Sequence, residues 1–182
     1  IHIAHMAQAM QQAFGETLLA CVSGGVLPAR EREGLLEVRR LAAGHAHLVD
    51  RIAAWQVELA ALVTAHAATL DLCHFRDPWS GLPILDARGG WRTVFEVNGL
   101  SSIEMPERYP LVSARTLEKI RAMELRCLHG AERILVPAQA LARNLARLGV
   151  DAAKITMVPN GADLPPPRSE EHTSELQSLA YL

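Results

Sequence analysis

Apolar residues recur at spacings of three and four from Ile3 through Met6 and Met10 to Phe14, one face of a helix that Gly15 ends. The pattern then changes to a continuous apolar run, Leu18 to Val22, closed by Ser23-Gly24-Gly25. Such a run predicts a strand buried on both faces. The next stretch, "LPAREREGLLEVRR", is charged and punctuated by Pro and Gly, and predicts a solvated loop with one or two helical turns. Helical spacing returns with Leu48, Ile52, Trp55, Leu59 and Leu62.

"LDLCHFRDP" predicts a second buried strand, followed by a short helix over Trp79 to Ala87 with Asp77 as N-cap and Pro78 in its first turn. "RTVFEVNG" predicts another strand. Two prolines in "LSSIEMPERYP" predict a long polar loop without helix. A helix carrying Leu117, Ile120, Met123 and Cys127, the strand "RILVP", a helix carrying Ala138, Leu141, Leu145 and Leu148, and the strand "ITMVP" complete the series. Helices alternating with continuously apolar strands define an α/β, doubly wound parallel sheet, since each parallel connection needs a crossover.

Ligands of such sheets bind beyond the carboxyl ends of the strands. The residues there are Ser23-Gly24-Gly25, His74 to Asp77, Glu96 to Gly99, Pro137 and Asn160-Gly161. His74, Arg76 and Asp77 stand at a strand end and a helix N-terminus, a setting for an anionic or hydroxyl-rich ligand. An Asp77 that only caps and an Arg76 that only pairs with a carboxylate fit equally well. Glu96 and Asn98 share one side of their strand by its period of two, and Gly99 allows close approach. The alternative is a plain Asn-Gly turn. Glu104, Glu107, Arg108 and Tyr109 suit sugar hydroxyls or phosphates and equally suit an exposed loop.

The 182 residues, 49% hydrophobic and 21% charged, fit one domain with a substantial core. A net charge of -2 carries no footprint for nucleic acid. The three cysteines form no CxxC pair and lie in apolar segments, which suggests a reducing compartment. No run reaches the length of a membrane span, and the first residues lack a signal-peptide pattern, so the setting expected is cytoplasmic. Eight histidines include only His45-x-His47 as a close pair, and two residues apart do not share a helix face, so no metal site is expected. There is neither a G-x-S-x-G elbow nor a Walker A loop. A nicotinamide enzyme would want an acid where Ser23-Gly24-Gly25 stands.

Four stretches taken in order resemble the N-terminal half of a family 4 glycosyltransferase. They are "HIAHMAQAM", "LDLCHFRDPWSGLP", "TVFEVNGLSSIEMPERYP" and "LRCLHGAERILVPAQALARNLARLGVDAAKITMVPNGAD", and the resemblance runs from Ile1 to about Pro167. It implies a Rossmann-like domain, the first half of a two-domain GT-B architecture, here lacking its first strand. It also implies transfer of a sugar from a UDP- or GDP-type donor to a glycan or lipid-linked acceptor, with retention, no cofactor and no catalytic metal.

On that reading Glu96 and Asn98 are the catalytic positions, and Asn98 stands where many members carry histidine. Arg76, Asp77, Gly99, Glu104, Arg108, Asn160 and Gly161 would bind substrate. The partners implied are the acceptor and a C-terminal donor domain, with peripheral contact at the inner face of the membrane and no nucleic acid. The expected division is a domain over 1–163, the start of a linker over 164–167, and a tail over 168–182. Arg168 to Ser178, RSEEHTSELQS, resembles a translated sequencing adapter and reads as an artefactual, disordered tail. The chain alone would be inactive. A non-catalytic α/β binding or scaffold module, and part of a GT-B sugar-nucleotide epimerase, remain as alternatives.

Overall fold

The computed structural model describes residues 2–45 and 47–161, without the side chains of His2 and Ala4. The linker and tail expected after residue 163 therefore lie outside the described residues. Helix α1 (His2–Phe14) leads through Gly15, at φ 87, into β1 (Thr17–Val22). A hairpin of β2 (Arg30–Glu33) and β3 (Leu36–Leu41) follows, then α2 (Leu48–Ala65) and β4 (Leu72–Phe75). Next come α3 (Pro78–Asp86), β5 (Arg92–Glu96), α4 (Ser101–Arg108) and α5 (Ala114–Gly130). The series closes with β6 (Arg133–Val136), α6 (Gln139–Arg147) and β7 (Ile155–Met157).

The strands form two sheets. One is ordered β1-β3-β2, with β1 parallel and β2 antiparallel to β3. The other is four-stranded, fully parallel and ordered β4-β5-β6-β7. The core lies on the second sheet. Phe75 stacks on Phe95 at 4.8 Å, and Cys127, Leu128, Ile134, Val136 and Leu145 are sealed behind them. Trp55 and Leu59 of α2 and Ile84 of α3 complete that core.

Three expectations are corrected. "RERE" and "LEVRRL" form strands in place of a loop with helical turns. Charge pairs cross their ladder, Arg30–Glu37 at 2.9 Å together with Arg40–Glu31, so β2 needs no apolar alternation. "SSIEMPER" is helix α4 despite Pro106. That proline removes one N–H from a helix of two turns, while Glu124 of α5 accepts from Ser102 N at 2.9 Å and from the Ser102 hydroxyl and so anchors its start. Finally, β1 is half-buried and not sealed on both faces; among the described residues α1 is the helix that packs most against it.

Candidate functional site

Strands β4 and β5 run parallel with His74 level with Val94 and Phe75 level with Phe95. This register brings the residues just past β4 beside the end of β5. Alternation sends Cys73, Phe75, Thr93 and Phe95 into the core, and leaves His74, Val94 and Glu96 on the other face. Arg76 continues the His74 face, and its Nε donates to Glu96 Oε1 at 3.1 Å. Asn98, two residues beyond Glu96, donates from Nδ2 to the same oxygen at 2.8 Å. His74 Nε2 stands 3.1 Å from Glu96 Oε2, an ion pair when the imidazole is protonated. Glu96 itself is 6% exposed. The buried carboxylate is thus the hub of a four-residue cluster whose accessible members are Arg76 and Asn98.

Asp77 adjoins Arg76 but turns inward. Its carboxylate accepts from Ser80 N at 2.7 Å and from the Ser80 hydroxyl at 3.1 Å, capping α3. The Ser80 hydroxyl in turn accepts from the Trp55 indole N–H at 3.2 Å. Burial pushes the Asp77 carboxyl above its ordinary value, against the pull of the Ser80 hydrogen bonds and the Arg76 charge. The geometry gives Asp77 a structural task, with both carboxylate oxygens engaged by Ser80.

Glu104 rests on Gly99: a Cβ added there would stand 1.7 Å from Glu104 Oε1, a contact that the flexible, exposed Glu104 side chain could yield. The first turn of α4 therefore hangs an exposed carboxylate over the Asn98-Gly99 turn. Arg108 lies one turn further along α4, on the Glu104 side, and is exposed. Asn160 and Gly161 follow β7, two strands from β5 and so roughly 10 Å from the cluster by strand spacing. They share its edge of the sheet, but no hydrogen bond among the described residues joins them to it.

Sequence reasoning placed His74 in a setting for an anionic or hydroxyl-rich ligand but not against Glu96, and missed Ser80, Glu124 and the bond from Trp55 to Ser80. Only the period of two, which puts His74 on the Arg76 face, could have pointed to its contact with Glu96. Nothing local joins Trp55 to Ser80 or Glu124 to Ser102. Among the described residues no group of three His, Cys, Asp or Glu is placed to hold a metal ion. Nor is any helix there long and apolar enough to cross a membrane.

A parallel Rossmann-like sheet with a polar cluster beyond the carboxyl ends of adjacent strands is the architecture of one half of a GT-B enzyme. Residues 1–165 match the family model described as Glycosyltransferase Family 4, and the chain belongs to that family. No curated protein sequence matches it. Among solved structures it is similar to a sucrose-phosphate synthase chain from Thermosynechococcus elongatus. The TM-score is 0.66 at 15% identity, over 98% of this chain and 91% of that one. It is also similar to a longer chain of the same synthase, with a TM-score of 0.69 at 16% identity over 89% of this chain. This chain covers 42% of that longer one, less than half its length.

Proposed function

We propose that this chain is the acceptor side of a hexosyltransferase that moves a sugar, with retention, from a nucleotide-activated donor to a glycan or lipid-linked acceptor. The observation that carries the reading is the contact of Arg76, Glu96 and Asn98 at one strand edge, in a chain of this family. Arg76 offers a cation for an anionic acceptor group, and Asn98 and Glu104 offer polar atoms for hydroxyls. A second domain elsewhere in the protein would hold the UDP- or GDP-sugar, a division supported by the 42% coverage of the longer synthase chain. The chain alone is then inactive, and no cofactor takes part.

The setting proposed is the cytoplasm, with peripheral contact at the inner face of the membrane. Ile103, 66% exposed, and Leu111, 99% exposed, in and just beyond α4 supply apolar surface for it. The test is transfer of label from a panel of UDP- and GDP-sugars by a full-length protein carrying this chain, beside the chain alone. The full-length protein should transfer and the chain should not. Asn98→Ala in the full-length protein should lower turnover by more than it raises the donor KM. A full-length sequence with no second Rossmann-like domain would end the proposal.

A further inference from the structure

The two polar residues of Glu96-Val97-Asn98 differ in what they offer a ligand. Glu96 is enclosed: Oε1 accepts from Arg76 Nε at 3.1 Å and from Asn98 Nδ2 at 2.8 Å, and Oε2 stands 3.1 Å from His74 Nε2. Little of that carboxylate is left for an incoming group. Asn98, in contrast, is exposed. Its amide has one donating and one accepting end, and an ionised carboxylate only accepts, so the end that meets Glu96 has to be the NH2. Oδ1 is then turned away from Glu96, and among the described residues no hydrogen bond reaches it.

We propose that Glu96 is a positioning residue: its buried carboxylate, held by His74 and Arg76, locks the Asn98 amide with the oxygen outward. Position 98 therefore offers an acceptor hydroxyl the amide oxygen, to which that hydroxyl donates. The identity of the ligand rests on the glycosyl-transfer reading above, whereas the lock does not. An amide oxygen is too weak a base to keep the proton, so Asn98 orients the hydroxyl. In the transfer, the bond from hydroxyl oxygen to sugar carbon forms and the bond from that carbon to the leaving phosphate oxygen breaks. The hydroxyl proton ends on that phosphate oxygen.

The lock has a charge-conserving reversal that tests it. In Glu96→Leu the oxygen that receives the Asn98 NH2 is removed, so the Asn98 amide is free to rotate and the outward oxygen is no longer fixed. In Asn98→Asp two carboxylates face each other. In the variant carrying both changes no carboxylate opposes position 98, whose side chain then turns an accepting oxygen outward in either rotation, with the same net charge as the original. In the full-length protein each single change should lower acceptor kcat/KM about tenfold or more, and the double should return to within about threefold of the original. A double variant no better than the worse single would overturn the proposal, since a donating role at position 98 cannot be met by aspartate.

A second measurement needs no substrate. In nitrogen-15 spectra of this chain the two Asn98 amide hydrogens should be widely separated, one of them exchanging slowly, and should draw together in Glu96→Leu. Signals of a freely exposed amide in the unaltered chain would also overturn the lock. Locked signals in a full-length protein that transfers no sugar would sink the glycosyl-transfer reading and leave the lock standing.

Discussion

Asp77 shows how one residue can stand in a candidate site and still belong to the fold. Its cap on α3 makes Asp77→Ala cost about 1 kcal/mol, measurable by urea unfolding. Asp77→Asn keeps a capping oxygen and removes the buried charge, so it should be far milder. Because burial raises the folded carboxyl, the folded chain holds this proton more tightly than the unfolded one. The stability this gives is full below the unfolded value of about 3.9 and is lost as pH rises through the folded value. The lead of native over Asp77→Asn should therefore be largest in acid and shrink towards neutrality. Burial likewise pushes the Cys73 thiol up to about 11 and Cys127 to about 12. At pH 8 both should react with a thiol reagent far more slowly in the folded chain than in denaturant. Stability should fall as pH climbs from about 9 towards 11, where the unfolded thiols ionise and the folded ones do not. The half-buried Cys21 should react first of the three. At this scale the sequence was partly legible. Strand period alone put Glu96 and Asn98 on one side, but the partner of Glu96 Oε2 depended on the register of a neighbouring strand.

Helix α3 was predicted almost to the residue because its signals are local: Asp77 caps and Pro78 fills the first turn. Its packing was not visible in the same way. A Cβ on Gly81 would come within 2.5 Å of Phe75 Cε2 and 2.7 Å of Cys127 Sγ, so α3 lies unusually close to β4 and α5. Gly81→Ala should cost about 1–3 kcal/mol in chemical denaturation, by overpacking. Helix α4 was missed for the opposite reason. Its local sequence argues against a helix through Pro106, and the group that secures its start, Glu124, lies 22 residues away. Glu124→Ala should strand the Ser102 N–H and speed amide hydrogen exchange through the first turn of α4, with α3 unchanged as the internal control. The β2–β3 hairpin escaped notice because charges stand on both faces of "RERE", and cross-strand pairing became visible only once the register was known.

For the molecule as a whole, alternation along the chain revealed the α/β class, whereas the break between the two sheets is a property of strand order that no periodicity encodes. Among the described residues strands β1 and β4 each pair on one side only, and Phe14, Val26 and Leu27 are more than half exposed. Unpaired strand edges and apolar surface invite other chains. The isolated chain should therefore associate with rising concentration, seen as a growing mass in light scattering. A strictly monomeric, highly thermostable chain would contradict this. The links between elements also have an optical consequence. Trp55 on α2 reaches Ser80 on α3, and Ser80 reaches Asp77 at the turn out of β4, so the indole sits one hydroxyl away from the residue beside Arg76. With Trp79 and Trp91 replaced by phenylalanine, the emission wavelength of Trp55 becomes an intrinsic signal of the local field at that turn. It should shift when Ser80→Ala cuts the link or when an anion settles against Arg76, giving a fluorescence titration that needs no label and no turnover.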